Sequence, residues 1–200
     1  AGDFGRLIAF ATDAGGTDPA DLIDAEVVVR GVCFQFFNER SQVAGVRIEM
    51  NSTRELEIRR PPPTDPFAAS MVAMDELQAY SPEGANYHRQ RIRGTVTLAS
   101  PEGFLFLQQD THAVRVTLAA PADLVPGDQV EAVGFPQART RFVEWQRALV
   151  RKPGEHAVPE PVPTTPSRVL GLLWPGEDRM KGDFDGRLVS LTGELDQIEV

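Results

Sequence analysis

The sequence predicts a mainly β protein with minor helical content, and three observations lead to this fold class. Short stretches of alternating apolar and polar residues recur along the chain, bounded by Gly, Pro, Asn and Asp. That pattern is typical of half-buried strands separated by turns. Several segments resemble others about 100 residues further on, and two proline-rich runs divide the strand-rich regions. Together these features predict repeated all-β units joined by linkers.

The strands of one complete unit are predicted within residues 85–152. They lie at 89–99, 104–109, 114–118, 128–135 and 142–150. Pro121-Ala-Asp-Leu, between the third and fourth, predicts a helix start or a tight loop. Five short strands with a brief helical link in that place are the order of an OB-fold, a five-stranded and partly open barrel. The positions expected inside it are Ile92, Val96, Leu98, Val114, Val116, Leu118 and Val130.

The repeat extends this interpretation to both ends of the chain. The matching pairs are residues 22–32 with 124–135, 61–66 with 161–166, and 91–96 with 190–195. Three signals that agree on one period predict a tandem array, which is typical of binding or spacing more than of catalysis. Because the sequence starts without Met and ends inside a strand pattern, we expect a segment of something longer.

The predicted fold is therefore all-β with minor α content: tandem OB-fold-like five-stranded barrels joined by Pro-rich linkers with short helices. The expected boundaries are 1–60 for the C-terminal part of a first unit, 61–84 for a linker with a short helix, 85–152 for the complete barrel, 153–181 for a second such linker, and 182–200 for the first strand of a third unit.

Composition excludes several classes of site. With 29 acidic and 20 basic residues the net charge is −9, which argues against nonspecific binding to nucleic acid or anionic membranes. Cys33 is the single cysteine and lies in an apolar strand, so we expect it to be buried. The three histidines are far apart, and we predict no metal site and no cofactor. No apolar run approaches the length of a membrane span.

Catalysis receives little support from the sequence. There is no nucleophile elbow, phosphate loop or His/Cys cluster. The carboxylates Asp110, Asp128 and Glu131 fall in turns or at strand ends, and Asp128 follows Gly127 where its side chain can bond the local backbone. We therefore predict no catalytic residues and no enzymatic activity for this chain.

The predicted ligand-binding residues are Arg91, Arg93 and Arg115. OB barrels bind ligands on the face of strands two and three. Phe104 and Phe106 occupy one side of strand two, and Leu105 and Leu107 the other; the sequence leaves open which pair forms the core. The simpler interpretation is that the arginines are solvated and the phenylalanines buried. Trp145 is expected to be partly buried, and Trp174 to anchor a linker.

The complete unit also resembles a known family. Residues 93–98, 103–111 and 124–136 resemble the tandem OB-like modules in the extracytoplasmic sensor region of certain bacterial two-component histidine kinases, as do Asp65-Pro-Phe-Ala and Phe184-Asp-Gly-Arg-Leu-Val. Thr111-His112-Ala113 departs from the Thr-Gly-Gly turn usual there. The resemblance implies a non-catalytic sensor region of a membrane-bound receptor, placed outside the cytoplasm or in the periplasm.

The expected partner is an unknown small ligand or a protein, with no nucleic acid and with membrane contact only through other parts of the parent chain. The alternatives are an oligonucleotide- or oligosaccharide-binding OB-fold protein, or an accessory module of a secreted hydrolase. The tail, with Leu188, Leu191 and Leu195 as its apolar positions, is expected to pair with the open first unit. Such pairing predicts either a permuted barrel or a strand-swapped homodimer.

Overall fold

The computed structural model describes residues 7–16, 18–77, 88–138, 143–154, 156–157, 159–170, 184–194 and 196–197. The chain divides into two compact units, Ala1–Ala68 and Ala69–Val200. Trp174 and Leu195, for which the sequence predicts an anchoring and a strand-pairing role, lie outside the described residues, as do residues 85–87 at the start of the predicted barrel.

The first unit contains five described strands, which are β1 (Ile8–Asp13), β2 (Glu26–Val28), β3 (Val32–Phe37), β4 (Val43–Ser52) and β5 (Glu57–Arg60). The central strand β4 pairs in parallel with β1 and antiparallel with β3, and β2 pairs antiparallel with β5. A short 3₁₀ turn, Thr53–Glu55, separates β4 from β5. The hydroxyl of Ser52 accepts a hydrogen bond from the backbone N–H of Arg54 and so caps this turn.

One face of this sheet is aromatic. Phe34 lies opposite Arg47 in the register, and the Arg47 guanidinium lies 5.3–5.9 Å from the ring centroids of Phe10, Phe34 and Phe36. Cys33 is exposed, so the prediction that it is buried is wrong. The apolar strand around Cys33 does form, but burial also needs something packed on that side of the sheet.

The second unit is built on a closed barrel. Its strands are β6 (Gln90–Ser100), β7 (Phe104–Gln109), β8 (His112–Leu118), β9 (Gln129–Ala138) and β10 (Val143–Arg151). Around the barrel they follow the order β10-β8-β7-β6-β9. The pair β8–β10 is parallel and the other pairs are antiparallel. A closed five-stranded barrel with this non-sequential order is the OB-fold that the sequence predicts.

The first barrel strand belongs to both halves of the barrel. Residues 90–95 of β6 pair with β9, and residues 95–100 pair with β7. Gly94 lies just before the change of partner, where an added Cβ would stand 2.8 Å from Met74 Cε and 3.0 Å from the carbonyl oxygen of Gln108. A side chain at this position would therefore collide with the facing backbone, which explains the glycine.

The barrel interior is apolar and closely packed. Trp145 is completely buried, although the sequence predicts only partial burial, and its indole N–H donates to the carbonyl of Gln90 at 3.3 Å. Met74 lies in a 3₁₀ turn and packs into the same core. The buried cluster comprises Met74, Ile92, Val96, Leu105, Leu107, Val114, Val116, Val130, Ala132, Trp145 and Ala148.

One predicted core residue points outward. Leu98 is 45% exposed, whereas Ile92 and Val96 on the same strand are completely buried. The register of β6 against β7 shifts between Val96 and Leu98, and the extra residue of such a bulge reverses which side chains face inward. Leu118 is partly buried against the core rather than fully buried.

The segment before the barrel is more than a linker. The backbone of Arg91 exchanges hydrogen bonds with Ser70 and Val72, from Arg91 N to Ser70 O at 2.9 Å and from Val72 N to Arg91 O at 2.8 Å. In the linker predicted at 61–84, the described residues contain two 3₁₀ turns, Pro66–Ala68 and Met74–Glu76. This segment therefore adds an extra bridge to the edge of β6.

The link between β8 and β9 contains no helix, contrary to one of the predicted forms. Asp128 shapes its end, because its carboxylate accepts from the backbone N–H of Val125 at 2.9 Å. The predicted local role of Asp128 is thus confirmed. The same carboxylate lies 2.8 Å from Lys152 Nζ and 3.6 Å from His156 Nδ1. The hydrogen bond from Lys152, followed by that from Val125, lowers the pKa of Asp128 from 3.8 to about 2.

We expect Asp128 to make the second unit sensitive to acid. Its folded-state pKa lies below its unfolded value, so its contribution is present above pH 3.8 and is lost as the pH falls through about 2. Asp128→Asn should flatten that part of the stability profile, measured as the melting temperature between neutral and acidic pH. Asp123→Asn, which removes an exposed carboxylate from the same loop, is the control and should keep the wild-type profile. Identical profiles for the two variants would refute the assignment.

Among the described residues after the barrel are three short elements: β11 (Val162–Pro163), α1 (Pro166–Val169) and β12 (Val189–Ser190). The two strands pair in parallel. The tail was predicted to pair with the first unit, but its described part pairs with β11 of its own unit. The homodimer formed by strand exchange stays a prediction.

Candidate functional site

The outer side of β7 carries two aromatic rings. Leu105 and Leu107 are buried in the barrel, while Phe104 and Phe106 are half-buried on the outside. The alternative that the sequence leaves open is thus decided in favour of a leucine core, and the simpler expectation of buried phenylalanines is wrong. The two rings contact each other edge to face, with centroids 6.2 Å apart and planes at 86°.

Neighbouring strands extend this surface. Phe106 lies opposite Leu98 on β6 and Arg115 on β8, and Phe104 lies opposite Thr117. Residues paired across a sheet share a face. We call this outer surface the phenylalanine face; it consists of Leu98, Phe104, Phe106, Arg115 and Thr117.

Arg115 covers one of the rings. Its guanidinium carbon stands 4.3 Å from the centroid of Phe104, within the range of a cation–π contact. The same guanidinium donates to Glu144 Oε1 at 3.1 Å, and Thr117 Oγ1 lies 3.3 Å from that oxygen. Glu144 is buried at 4% exposure. Arg115 is therefore held in place by a buried carboxylate while its flat surface remains against the ring.

Arg91 and Arg93 lie on a different part of the barrel, beside Glu131 of β9. Arg93 lies opposite Glu131 of β9, and Arg91 Nη1 lies 3.4 Å from Glu131 Oε2. Arg151 donates to the same oxygen through Nη2 at 2.6 Å and through Nε at 2.9 Å. The hydrogen bonds from Arg151, with the nearby charges of Arg91 and Arg93, hold the pKa of Glu131 below its ordinary value although burial opposes this.

The three predicted arginines therefore do not form one cluster. Arg91 and Arg93 flank Glu131 on β6 and β9, whereas Arg115 lies on β8 against Phe104. The sequence predicts Arg115 as a ligand-binding residue but leaves the outward direction of Phe104 open, because Phe-Leu-Phe-Leu is apolar at every position. The alternation alone contains no signal that distinguishes its two sides.

A polar pocket lies beside β6, β7 and β9. Its volume is about 480 Å³. Gln129 Nε2 donates to Thr95 Oγ1 at 2.5 Å on its inner wall. The lining residues are Arg93, Gly94, Thr95, Gln108, Gln109, Asp110, Gln129, Pro159, Glu160 and Val162. This lining suits polar, hydrated groups rather than an apolar ring.

The described part of the chain was compared with the requirements of metal clusters and of membrane-spanning helices. No group of three His, Cys, Asp or Glu residues there could hold a metal ion. No helix among the described residues is long and apolar enough to cross a membrane.

Comparison with known proteins adds structural matches only. No protein-family model and no curated protein matches the chain. Telomere capping protein Ten1 from Saccharomyces pombe is 15% identical, with 42% of this chain and 80% of Ten1 covered and a TM-score of 0.33. The E. coli hypothetical protein ygiW is 15% identical, with 42% and 91% covered and a TM-score of 0.34. U. maydis Replication protein A bound to ssDNA is 19% identical, with 42% and 71% covered and a TM-score of 0.33.

The prediction that the chain binds no nucleic acid is corrected, because its grounds fail. The sequence favoured buried phenylalanines, yet Phe104 and Phe106 lie on the outer side of β7, with Arg115 against Phe104. The prediction also applied the net charge of the whole chain, −9, to one local surface.

Proposed function

We propose that the barrel of the second unit binds single-stranded nucleic acid on the phenylalanine face. The observation that carries this proposal is the pair of outward rings, Phe104 and Phe106, with Arg115 stacked beside them. Single-strand binding combines aromatic platforms for unpaired bases with cations for the backbone. In OB-folds the surface of strands two and three, which are β7 and β8 here, is the usual place for such ligands.

Stacking, rather than charge, would supply most of the affinity. Arg115 shares its charge with Glu144, and the chain has more acidic than basic residues. Few phosphates can therefore be neutralised on this face. The proposed ligand is accordingly a short, flexible strand with exposed bases, and a duplex, whose bases are already stacked, would be a poor substitute.

We expect measurable binding with a shallow dependence on salt. A fluorescently labelled single strand, titrated at several salt concentrations, should give a plot of log affinity against log salt with a slope between about −0.7 and −1.4, equivalent to one or two phosphates. A duplex of the same sequence is the control and should bind more weakly. No binding of the single strand at low salt, or a preference for the duplex, would contradict the proposed function.

We also propose that the chain contains tandem OB-fold-like units. In the first unit β4 pairs in parallel with β1 and antiparallel with β3. In the barrel β10 pairs in the same way, in parallel with β8 and antiparallel with β9. This shared connectivity supports the idea that the first unit repeats strands three to five of an OB-fold.

Three statements about the parent protein are proposals: that this chain belongs to the sensor region of a receptor, that it is non-catalytic, and that it lies outside the cytoplasm. These rest on the sequence resemblance. Sequencing the flanking regions would test them: a membrane-spanning segment followed by a kinase core is the expected result, and a nuclease or glycosidase domain there would contradict it.

A further inference from the structure

A segment near the C-terminus lies directly on the phenylalanine face. Gly186 packs so closely that an added Cβ would stand 2.9 Å from Phe106 Cδ1 and 3.1 Å from Ala113 Cβ. Its φ of 71° is in the left-handed region, which L side chains rarely adopt. Both the space and the backbone conformation therefore require glycine at this contact.

A hydrogen bond fixes the segment two residues further on. The backbone N–H of Leu188 donates to Gln108 Oε1 at 2.9 Å. Gln108 is only 8% exposed, and its Nε2 donates to the carbonyl of Asp110 at 3.1 Å. The amide of Gln108 is thus oriented to accept from an extended backbone that crosses β7.

On its other side, the segment pairs with β11 over a short length. Val162 N donates to Leu188 O and Thr164 N donates to Ser190 O, each at 3.0 Å. A turn closed from Arg187 N to Phe184 O at 3.1 Å precedes this pairing. The pairing of β11 with β12 involves two residue pairs, so the attachment is short compared with the barrel strands.

We propose that residues 184–190 form an internal cover that competes with the ligand for the phenylalanine face. This inference rests on the proposed function, since the covered ring, Phe106, is one of the two stacking platforms. The cover is held by the close packing of Gly186 and by backbone hydrogen bonds. Local opening of so short an attachment precedes the opening of a barrel core.

The cover lowers the apparent affinity for a strand by the fraction of molecules in which it is open. A second, stronger ligand for the open state would raise that fraction in turn, because such coupling is reciprocal. The face is consequently a regulated site: any partner that takes up residues 184–190 exposes Phe106.

Two glycine substitutions test the cover. Gly186→Val introduces a collision with Phe106 and a strained backbone, whereas Gly193→Val, in the same tail, meets no atom within 4 Å. We expect Gly186→Val to tighten binding of the labelled single strand by about 5- to 150-fold, the usual range of such coupling. Gly193→Val should change it less than about twofold. Leu188→Pro removes the backbone N–H that donates a hydrogen bond to Gln108 Oε1, so it should tighten binding as Gly186→Val does.

Hydrogen exchange separates this proposal from the proposed function. In the wild-type chain the Leu188 amide should be protected, and Gly186→Val should abolish that protection while the β7 amides stay protected. If Gly186→Val releases residues 184–190 but binds the single strand no more tightly than the wild-type chain does, the cover proposal is wrong and the proposed function stands. If Gly186→Val releases residues 184–190 and neither the variant nor the wild-type chain binds the single strand, the proposed function is wrong. An unprotected Leu188 amide in the wild-type chain would overturn the cover directly.

Discussion

Leu107→Ala is expected to lower the free energy of unfolding of the second unit by about 2–5 kcal/mol. Leu107 is completely buried and lies opposite Val96 on β6 and Val114 on β8. Truncation removes apolar contacts on both sides and leaves a cavity that a closed barrel cannot easily collapse. Urea unfolding followed by tryptophan fluorescence measures the loss, since both tryptophans belong to residues 69–200.

Leu98→Ala is the matched control, because it deletes the same atoms from a neighbouring strand. Leu98 is 45% exposed, so its truncation should cost less than about 1 kcal/mol. The comparison also tests the bulge in β6. Equal losses for the two variants would mean that Leu98 faces the core, as simple alternation predicts, and that the observed register is wrong.

The bulge shows where prediction from the sequence reaches its limit. Alternation places Ile92 and Val96 correctly, because both precede the shift in register. One inserted residue then reverses the pattern at Leu98, and nothing in the local composition marks that insertion. Barrel strands were predictable from periodicity and turn residues, whereas the direction of each side chain after a bulge depends on the partner strand.

Burial outside the barrel was less predictable for another reason. The apolar strand around Cys33 forms, but Cys33 and the nearby Phe34 are exposed. Periodicity describes one strand at a time, and burial depends on what covers the sheet. The link before β9 illustrates the same limit, since a helix start and a tight loop have similar sequences there, and the bond from Val125 to Asp128 belongs to the loop.

The candidate site includes one of the predicted arginines, whose ligand-binding role stays a prediction, and a ring whose direction the sequence left open. Arg115 was predicted to bind ligand and lies on the phenylalanine face, while Arg91 and Arg93 lie around Glu131 instead. The sequence left the direction of Phe104 open, and the simpler interpretation placed it in the core, since an aromatic residue in a strand is more often core than surface. The cation–π contact with Arg115 exists only because β7 and β8 pair in one register.

Phe104→Ala is expected to weaken binding of a single strand by about 5- to 150-fold, since stacking on one aromatic residue contributes about 1–3 kcal/mol per base. Phe104 is the better test of stacking than Phe106, because Gly186 packs against Phe106. The variant keeps Arg115 and its bond to Glu144, so the charge of the face is unchanged. The salt dependence should therefore stay the same while the affinity falls, as measured by fluorescence titration.

Phe135→Ala provides the control for Phe104→Ala within the same barrel. Phe135 is also half-buried and also has a guanidinium near its ring, that of Arg89 at 5.5 Å from the centroid. It lies on β9, which pairs with β6 and β10 and not with β7 or β8. Phe135→Ala removes the same ring as Phe104→Ala and should lower stability by a similar amount. We expect it to leave the affinity for the single strand unchanged. Equal weakening by the two variants would place the ligand elsewhere or attribute the effect to a loosened barrel, and the stacking role of Phe104 would then be rejected.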